Sequence, residues 1–297
     1  MAALNYAERY QRALDQAFPY VLNFGALRTT SNNRIFRWVD AQTIKVPTIS
    51  VTGRVNANRD TIETAQRRYN NDWTPLTLKN HRKWSTLVHP LDISETNMTT
   101  TIQNITRVFN EEEKFPEMDA YLISKLHAEY IDAGGTVDQG ALTTANVLEK
   151  FDAMNLKATQ ARTPANGRLL YCTPEAAKTI RNAQGLQRTL DLKDNTRRWT
   201  TAVEGIDLVD IIEVPAELMM TLYNFTEGWT PGAGARQINM MLVHPSCVIT
   251  PTQYQFSQLD PPSAGSEGKW VYFEESYEDV FILKHKIGGI QFQVAPA

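Results

Sequence analysis

The chain has 297 residues, of which 42 % are hydrophobic and 21 % charged, with a formal net charge of −3. That length holds one large domain or two ordinary ones, and the balance is that of a folded chain, which excludes a disordered one. The slight acidic excess also argues against a dedicated nucleic-acid binder, whose domain would show a strong basic excess. Cys172 and Cys247 are expected as buried free thiols, since no Cys/His spacing fits a zinc site. No apolar run reaches the length of a membrane span, and the first ten residues lack the apolar core of a signal peptide. The expected compartment is the cytoplasm, or a particle assembled there.

Residues 4–21 read as a helix. Leu4, Ala7, Tyr10, Leu14, Phe18 and Val21 recur at helical spacing, and Pro19 should bend or end it. An extended region follows. Ile44, Val46, Ile49 and Val51 are β-type residues, and Pro47 confines their strand to an edge or a free ribbon. Leu76, Leu78 and residues 84–88 read as the returning strand. Residues 36–89 should thus form a long two-stranded ribbon, too polar for a core of its own. Isolated ribbons are marginal in water, so this one needs a partner surface.

Residues 92–135 form the longest helical stretch. Asp92 and Glu95 have capping-box spacing, and Met98, Ile102, Ile105 and Phe109 lie along one face. Pro116 interrupts the pattern, Met118, Leu122 and Leu126 resume it, and Gly134-Gly135 stop it. Two helices in series, or one kinked at Pro116, are expected. The remainder alternates. A helix carries Val147, Phe151, Met154 and Ala158, a buried strand spans 168–172, and Thr173-Pro174 open a further helix. Strands are expected at 207–214, 238–243, 270–275, 280–287 and 290–294, the last two joined by a hairpin at Gly288-Gly289.

No motif for catalysis emerges. Gly232, Gly234 and Arg236 lack the frame of a phosphate loop, and no Gly-x-Ser-x-Gly elbow exists. The five histidines are scattered: His127 should be solvated or capped by a neighbour, and His89 and His244, each before a proline, should end strands. Glu111, Glu112 and Glu113 point in different directions around a helix and read as a solvated acidic face, not as ligands of one ion. No cofactor and no metal are expected.

Charge distribution says more. Residues 34–84 hold ten Lys/Arg against four acids, a net of +6, and residues 91–135 hold nine acids against three bases, a net of −6. Two solvated faces that never meet would explain this, as would complementary surfaces on neighbouring copies. Nucleic-acid binding by the ribbon is a third reading, since Trp38, Tyr69, Trp73 and Trp84 lie among its bases.

Three stretches in order resemble the major capsid proteins of tailed phages, especially long-tailed phages of Gram-positive bacteria. The first is the N-terminal pattern ending in Phe18-Pro19-Tyr20-Val21-Leu22-Asn23-Phe24. The second runs from Val108-Phe109-Asn110-Glu111-Glu112-Glu113 through Lys114-Phe115-Pro116-Glu117 to Tyr121. The third is residues 238–251 with the strands that close the chain. The resemblance implies the α+β Hong Kong 97-like fold: an N-terminal arm at 1–34, an extended loop at 35–90, a peripheral domain with a spine helix at 91–139 and 244–297, and an axial domain at 140–243. It implies a non-enzymatic head protein that assembles in the bacterial cytoplasm into the icosahedral shell of a virion. Its partners would be copies of itself in hexamers and pentamers, a portal, a separate scaffolding protein and packaged double-stranded DNA held non-specifically, with no membrane. Contacts between subunits would fall on Arg54, Arg59, Arg67 and Arg68 of the ribbon and on Glu111, Glu112 and Glu113, with Pro116 as a hinge. Some relatives cross-link a loop lysine to an asparagine of another subunit. Lys45 or Lys79 could serve here, but no asparagine follows Asn239, so the closing strands cannot supply the partner. An encapsulin-like compartment and an α/β enzyme with an undetected site stay open as alternatives.

Overall fold

The computed structural model describes residues 20–40, 42–54, 67–95, 101–183, 205–206 and 209–296. The helix expected at 4–21 and Arg59 fall outside them, apart from the last two residues of that helix. The described chain enters through one helical turn, α1 (Gly25–Arg28). A small antiparallel sheet follows, built from β1 (Arg37–Trp38), β2 (Thr43–Val51) and β3 (Tyr69–Thr77) in that order. β2 and β3 form the ribbon, with Pro47 opposite Trp73 and Val51 opposite Tyr69. Only its root has a core: Ile44, Val46 and Leu78 pack on Ile249 and Phe281. Farther out, Ile49 and Val51 are 73 % and 74 % exposed, so this part gains no stability from burial.

The ribbon is shorter than the sequence implied. β4 (His81–Val88) is not its returning strand; it pairs along its length with β14 (Trp270–Glu278). Alternate residues of β4 are half-buried against a partner strand almost two hundred residues away, which local pattern cannot show.

A short helix, α2 (Pro90–Glu95), contains Asp92 within it, so the expected capping box does not open the long helix. That helix opens at α3 (Ile102–Phe109), where the Thr101 hydroxyl accepts from the Asn104 amide. It runs without a break through a π-helical turn, Asn110–Lys114, into α4 (Phe115–Asp132). Pro116 therefore neither ends nor splits it. Proline lacks an N–H, and its ring would strike the carbonyl four residues back in an α-helix. The widened turn just before it, in which the Phe115 amide reaches the Asn110 carbonyl, relieves that conflict. The stop is as expected: Gly134 adopts φ +85°, and the Gly135 amide closes back onto the Tyr130 carbonyl.

The rest builds a six-stranded sheet. After β5 (Asp138–Gln139) come α5 (Val147–Gln160), β6 (Leu169–Cys172), α6 (Pro174–Arg181), β7 (Gly205–Ile206) and β8 (Val209–Glu213). The small hairpin of β9 (Tyr223–Asn224) and β10 (Thr230–Pro231) precedes β11 (Ile238–Val243). β12 (Val248–Ile249) pairs with β15 (Phe281–Ile282), β13 (Thr252–Asp260) pairs with β14, and β16 (Ile290–Val294) closes the chain. The sheet order is β5-β16-β11-β6-β8-β7, so residues 290–294 join the α/β section in space. Strand alternation divides the core. Met241, Tyr171 and Phe292 face α4 with Leu122, Ile123 and Leu126, while Met240, Leu242, Leu170 and Cys172 face α5 and α6 with Phe151, Met154 and Ile180. Buried on both faces, β6 and β11 read as continuous apolar runs.

Gly288 and Gly289 do not make the expected hairpin. They end a 3₁₀ segment, Lys284–Gly289, and allow close approach: a Cβ on Gly289 would stand 2.4 Å from Cys247 Sγ, and one on Gly288 would stand 2.3 Å from Ala161 Cβ. Both cysteines are free and buried, as read, and burial raises Cys172 to about 12 and Cys247 to about 11.

Candidate inter-subunit surfaces

The ribbon carries cations at its far end. Thr52 donates from its amide to the Arg68 carbonyl, so strand pairing persists to the point where Arg54, Arg67 and Arg68 stand exposed. Arg67 folds back on its own strand, donating to the Tyr69 carbonyl at 3.1 Å with its guanidinium 4.9 Å from the Tyr69 ring centre. Among the described residues none of these three arginines forms an ion pair.

Glu111, Glu112 and Glu113 all lie on the π-helical turn. Glu112 and Glu113 are exposed and Glu111 half-buried, and among the described residues no ion pair joins any of them to Arg54, Arg67 or Arg68. Beside them an open cleft of about 800 Å³ runs between the helix and the β13-β14-β4 sheet, with Glu113, Glu117, Glu274, Glu275 and Glu278 on its walls.

Some bases counted with the ribbon are used inside the subunit instead. Arg82 grips Glu117 through two bonds, of 2.6 and 3.0 Å, a geometry that suits a planar guanidinium. Burial pushes the Glu117 carboxyl above its ordinary range, although Arg82 pulls it down. Lys114 meets Glu274 at 3.1 Å, and Trp84 stacks flat on Phe109 with ring centres 3.8 Å apart. These contacts clamp the helix to the sheet on both sides of the π turn, and they remove Trp84 from any role in stacking on bases.

The sequence reading missed a buried node. Asp119 is fully buried on α4, and its Oδ2 accepts from the Tyr20 hydroxyl at 2.5 Å and the Asn23 amide at 2.8 Å. Burial raises its pKa. It ties the incoming chain to the helix. The available signal was a carboxylate in step with Ile123, Leu126 and Tyr130 on an apolar face.

His127 also differs from expectation. It is 6 % exposed, lies edge-on to Phe292, and its Nε2 has no partner among the described residues. Burial first, and then the charge of Arg236, press its pKa down to about 4. The folded state therefore binds this proton less readily than the unfolded chain does. The stability it supports is complete above pH 6.5 and falls as pH drops from 6.5 towards 4, by at most ~3 kcal/mol. Urea midpoints at pH 7, 5.5 and 4 should show a steeper loss for the wild type than for His127→Leu. Parallel profiles would reject this account. His89 and His244 do end strands, each accepting on Nδ1 from an amide two residues on.

No family model matches the sequence, and no curated protein matches it. Solved structures do match, over nearly the whole chain. The mature capsid of bacteriophage PhiM1 aligns with a TM-score of 0.67 at 11 % identity, covering 98 % of this chain and 92 % of its own. The fold is the Hong Kong 97-like capsid fold. The capsid of cyanophage P-SCSP1u shares it with a TM-score of 0.67 at 11 % identity, over 97 % of this chain and 92 % of its own. The head of Helicobacter pylori bacteriophage KHP40 shares it with a TM-score of 0.63 at 9 % identity, over 99 % and 95 %. At such identities the backbone path is what is held in common. The Hong Kong 97-like fold here combines a long helix, a protruding ribbon and a six-stranded α/β section in an α+β chain.

Proposed function

We propose that this protein is the major capsid protein of a tailed phage, closest to those of long-tailed phages of Gram-positive bacteria. Copies in hexamers and pentamers would close a shell around double-stranded DNA in the host cytoplasm, with a portal and a separate scaffolding protein, and without catalysis. The whole-length likeness to capsid subunits carries this reading. The ribbon supports it: nine-residue strands projecting from a small root are of use only against another molecule. In this reading residues 1–34 are the arm, 35–90 the extended loop, 91–139 with 244–297 the peripheral domain, and 140–243 the axial domain, whose sheet β16 enters. Arg54, Arg59, Arg67 and Arg68 dock on a neighbour's acidic surface at Glu111, Glu112 and Glu113. Electron microscopy of the purified full chain, alone and with its scaffold, should show closed shells of uniform size. A compact monomer at high concentration, with no particles under either condition, would overturn the proposal.

A further inference from the structure

One face of the subunit gathers exposed cations that form no ion pair among the described residues, and the proposed function does not use it. Parts of four acid-free stretches meet there, at Asn32, at Ala161 to Asn166, at His244 to Ser246 and at Lys286 to Gly288. Residues 153–174, 228–259 and 280–297 contain no Asp or Glu, and neither do residues 27–39. The fold joins them through specific contacts. The tight approach of Gly288 to Ala161 sets the 3₁₀ segment Lys284–Gly289 against the chain leaving α5. The Asn166 carbonyl contacts His244 Nε2 at 3.2 Å, and Lys286 Nζ donates to the Ser246 carbonyl at 2.9 Å. Asn32 Nδ2 reaches the same Ser246 carbonyl at 2.6 Å, which brings in the turn ending at Arg34.

These contacts bring together the segments that carry Arg34, Lys286, Lys284, His285, Arg162 and Lys157, a band of cations. All six are exposed, and among the described residues none forms an ion pair. A shallow groove beside the band runs between the end of α4 and the glycine pair, and among the described residues that line it Lys157 alone is charged. Arg168, 2 % exposed, holds the loop beneath by donating to the carbonyls of Pro164 and Thr163 at 2.9 and 2.7 Å and to the side chain of Asn155. The local potential also reaches the neighbouring His244, whose pKa is lowered by burial and further by Arg168 and Lys286.

We propose that this band is the surface on which the subunit meets the phosphate backbone of double-stranded DNA, and hence that this face lines the inside of the shell. The inference rests on the capsid reading for its orientation. The chemistry stands independently of that reading. Unpaired Lys and Arg spread along a surface, with amide and hydroxyl groups from Gln160, Thr163 and Asn166 between them, suit sequence-independent contact with phosphates. A formal charge of −3 is no obstacle, because a polyanion responds to the local field and not to the molecular total. The ribbon arginines are a separate set, committed to a neighbouring subunit.

The test uses the unassembled full chain and a short random-sequence duplex, with affinity measured between about 50 and 200 mM salt. The quadruple variant Lys157→Gln, Arg162→Gln, Lys284→Gln, Lys286→Gln should bind about tenfold or more weakly at low salt, and its salt dependence should flatten by roughly 0.9 in slope for each phosphate that is no longer neutralised. Arg54→Gln, Arg67→Gln, Arg68→Gln should leave both quantities near wild type. Thermal melts should show both variants folded, because every substituted side chain is exposed. Unchanged affinity and slope in the quadruple variant would overturn the proposal, as would an equal drop in affinity for the ribbon variant. A quadruple variant that binds DNA normally but cannot form shells would show the band to be an interface between copies, and that too would overturn it. Shell formation is scored separately by electron microscopy. If the wild type binds DNA through the band but never forms shells, the capsid reading fails while the phosphate-binding surface stands.

Discussion

Reversing Arg67 and Arg68 together to Glu is expected to stop shell assembly while leaving the subunit folded. Both residues stand at the free end of the ribbon, away from its small core of Ile44, Val46 and Leu78. Within the subunit the change removes the exposed hydrogen bond from Arg67 to the Tyr69 carbonyl and the packing of Arg67 over Tyr69, which at an exposed site contributes about 0.5–1 kcal/mol. Each intersubunit ion pair also contributes only ~0–1 kcal/mol. That weakness suits assembly, because a misplaced subunit can leave before the shell closes. Many copies act together in a shell, so small terms accumulate through multivalency. Charge reversal replaces every attraction with a repulsion and should therefore have a large collective effect. Higher salt should slow wild-type assembly, since the screening length falls to about 3 Å at 1 M. Changing Glu111, Glu112 and Glu113 to Lys in the same chain should partly restore particles. Normal heads from the Arg67/Arg68 double mutant at physiological salt would remove the ribbon's charge from the assembly mechanism.

The sequence disclosed the parts whose signals are local. Val147, Phe151, Met154 and Ala158 marked α5, and Thr173-Pro174 marked the start of α6, because helical period and capping act within a few residues. The apolar runs of β6 and β11 marked strands, the first of them as buried. What stayed hidden was pairing at a distance. β13 was missed although Tyr254 and Phe256 alternate with glutamines, because all nine of its residues are exposed and only β14 defines it. β4 was assigned to the ribbon for the same reason. Net charge had the same weakness: the count over residues 34–84 included Arg82, whose charge is satisfied by Glu117. Among the described residues Arg54, Arg67 and Arg68 stand exposed and form no ion pair, while the node at Asp119 depends on a contact across almost a hundred residues.

Deleting Glu112 should destabilise the subunit by about 3 kcal/mol or more, whereas the same deletion combined with Pro116→Ala should be tolerated. The π turn holds one residue more than an α-helical turn would, and it lies directly before Pro116. Removing that residue would restore α geometry while keeping the phase of the flanking helices. Phe109 would then stay on Trp84, and Leu122, Ile123 and Leu126 would stay in the core. Pro116, however, would meet the carbonyl four residues before it and lack an amide to bond. Replacing it with alanine removes both problems, so chemical denaturation should separate the two deletion variants clearly. Equal stabilities would show that proline and π turn are independent. In the capsid reading the coupled pair is the hinge. α3 has no fully buried residue and is held to the sheet through Phe109 on Trp84, whereas α4 is anchored in the core, so bending at the π turn would re-aim α3 at the cost of that one stack. The variant with the deletion and Pro116→Ala should therefore assemble with a narrower range of particle shapes and lose pentamers first, as electron microscopy would show. Wild-type sizes and yields from that variant would place shell curvature elsewhere, in the contacts between neighbouring ribbons.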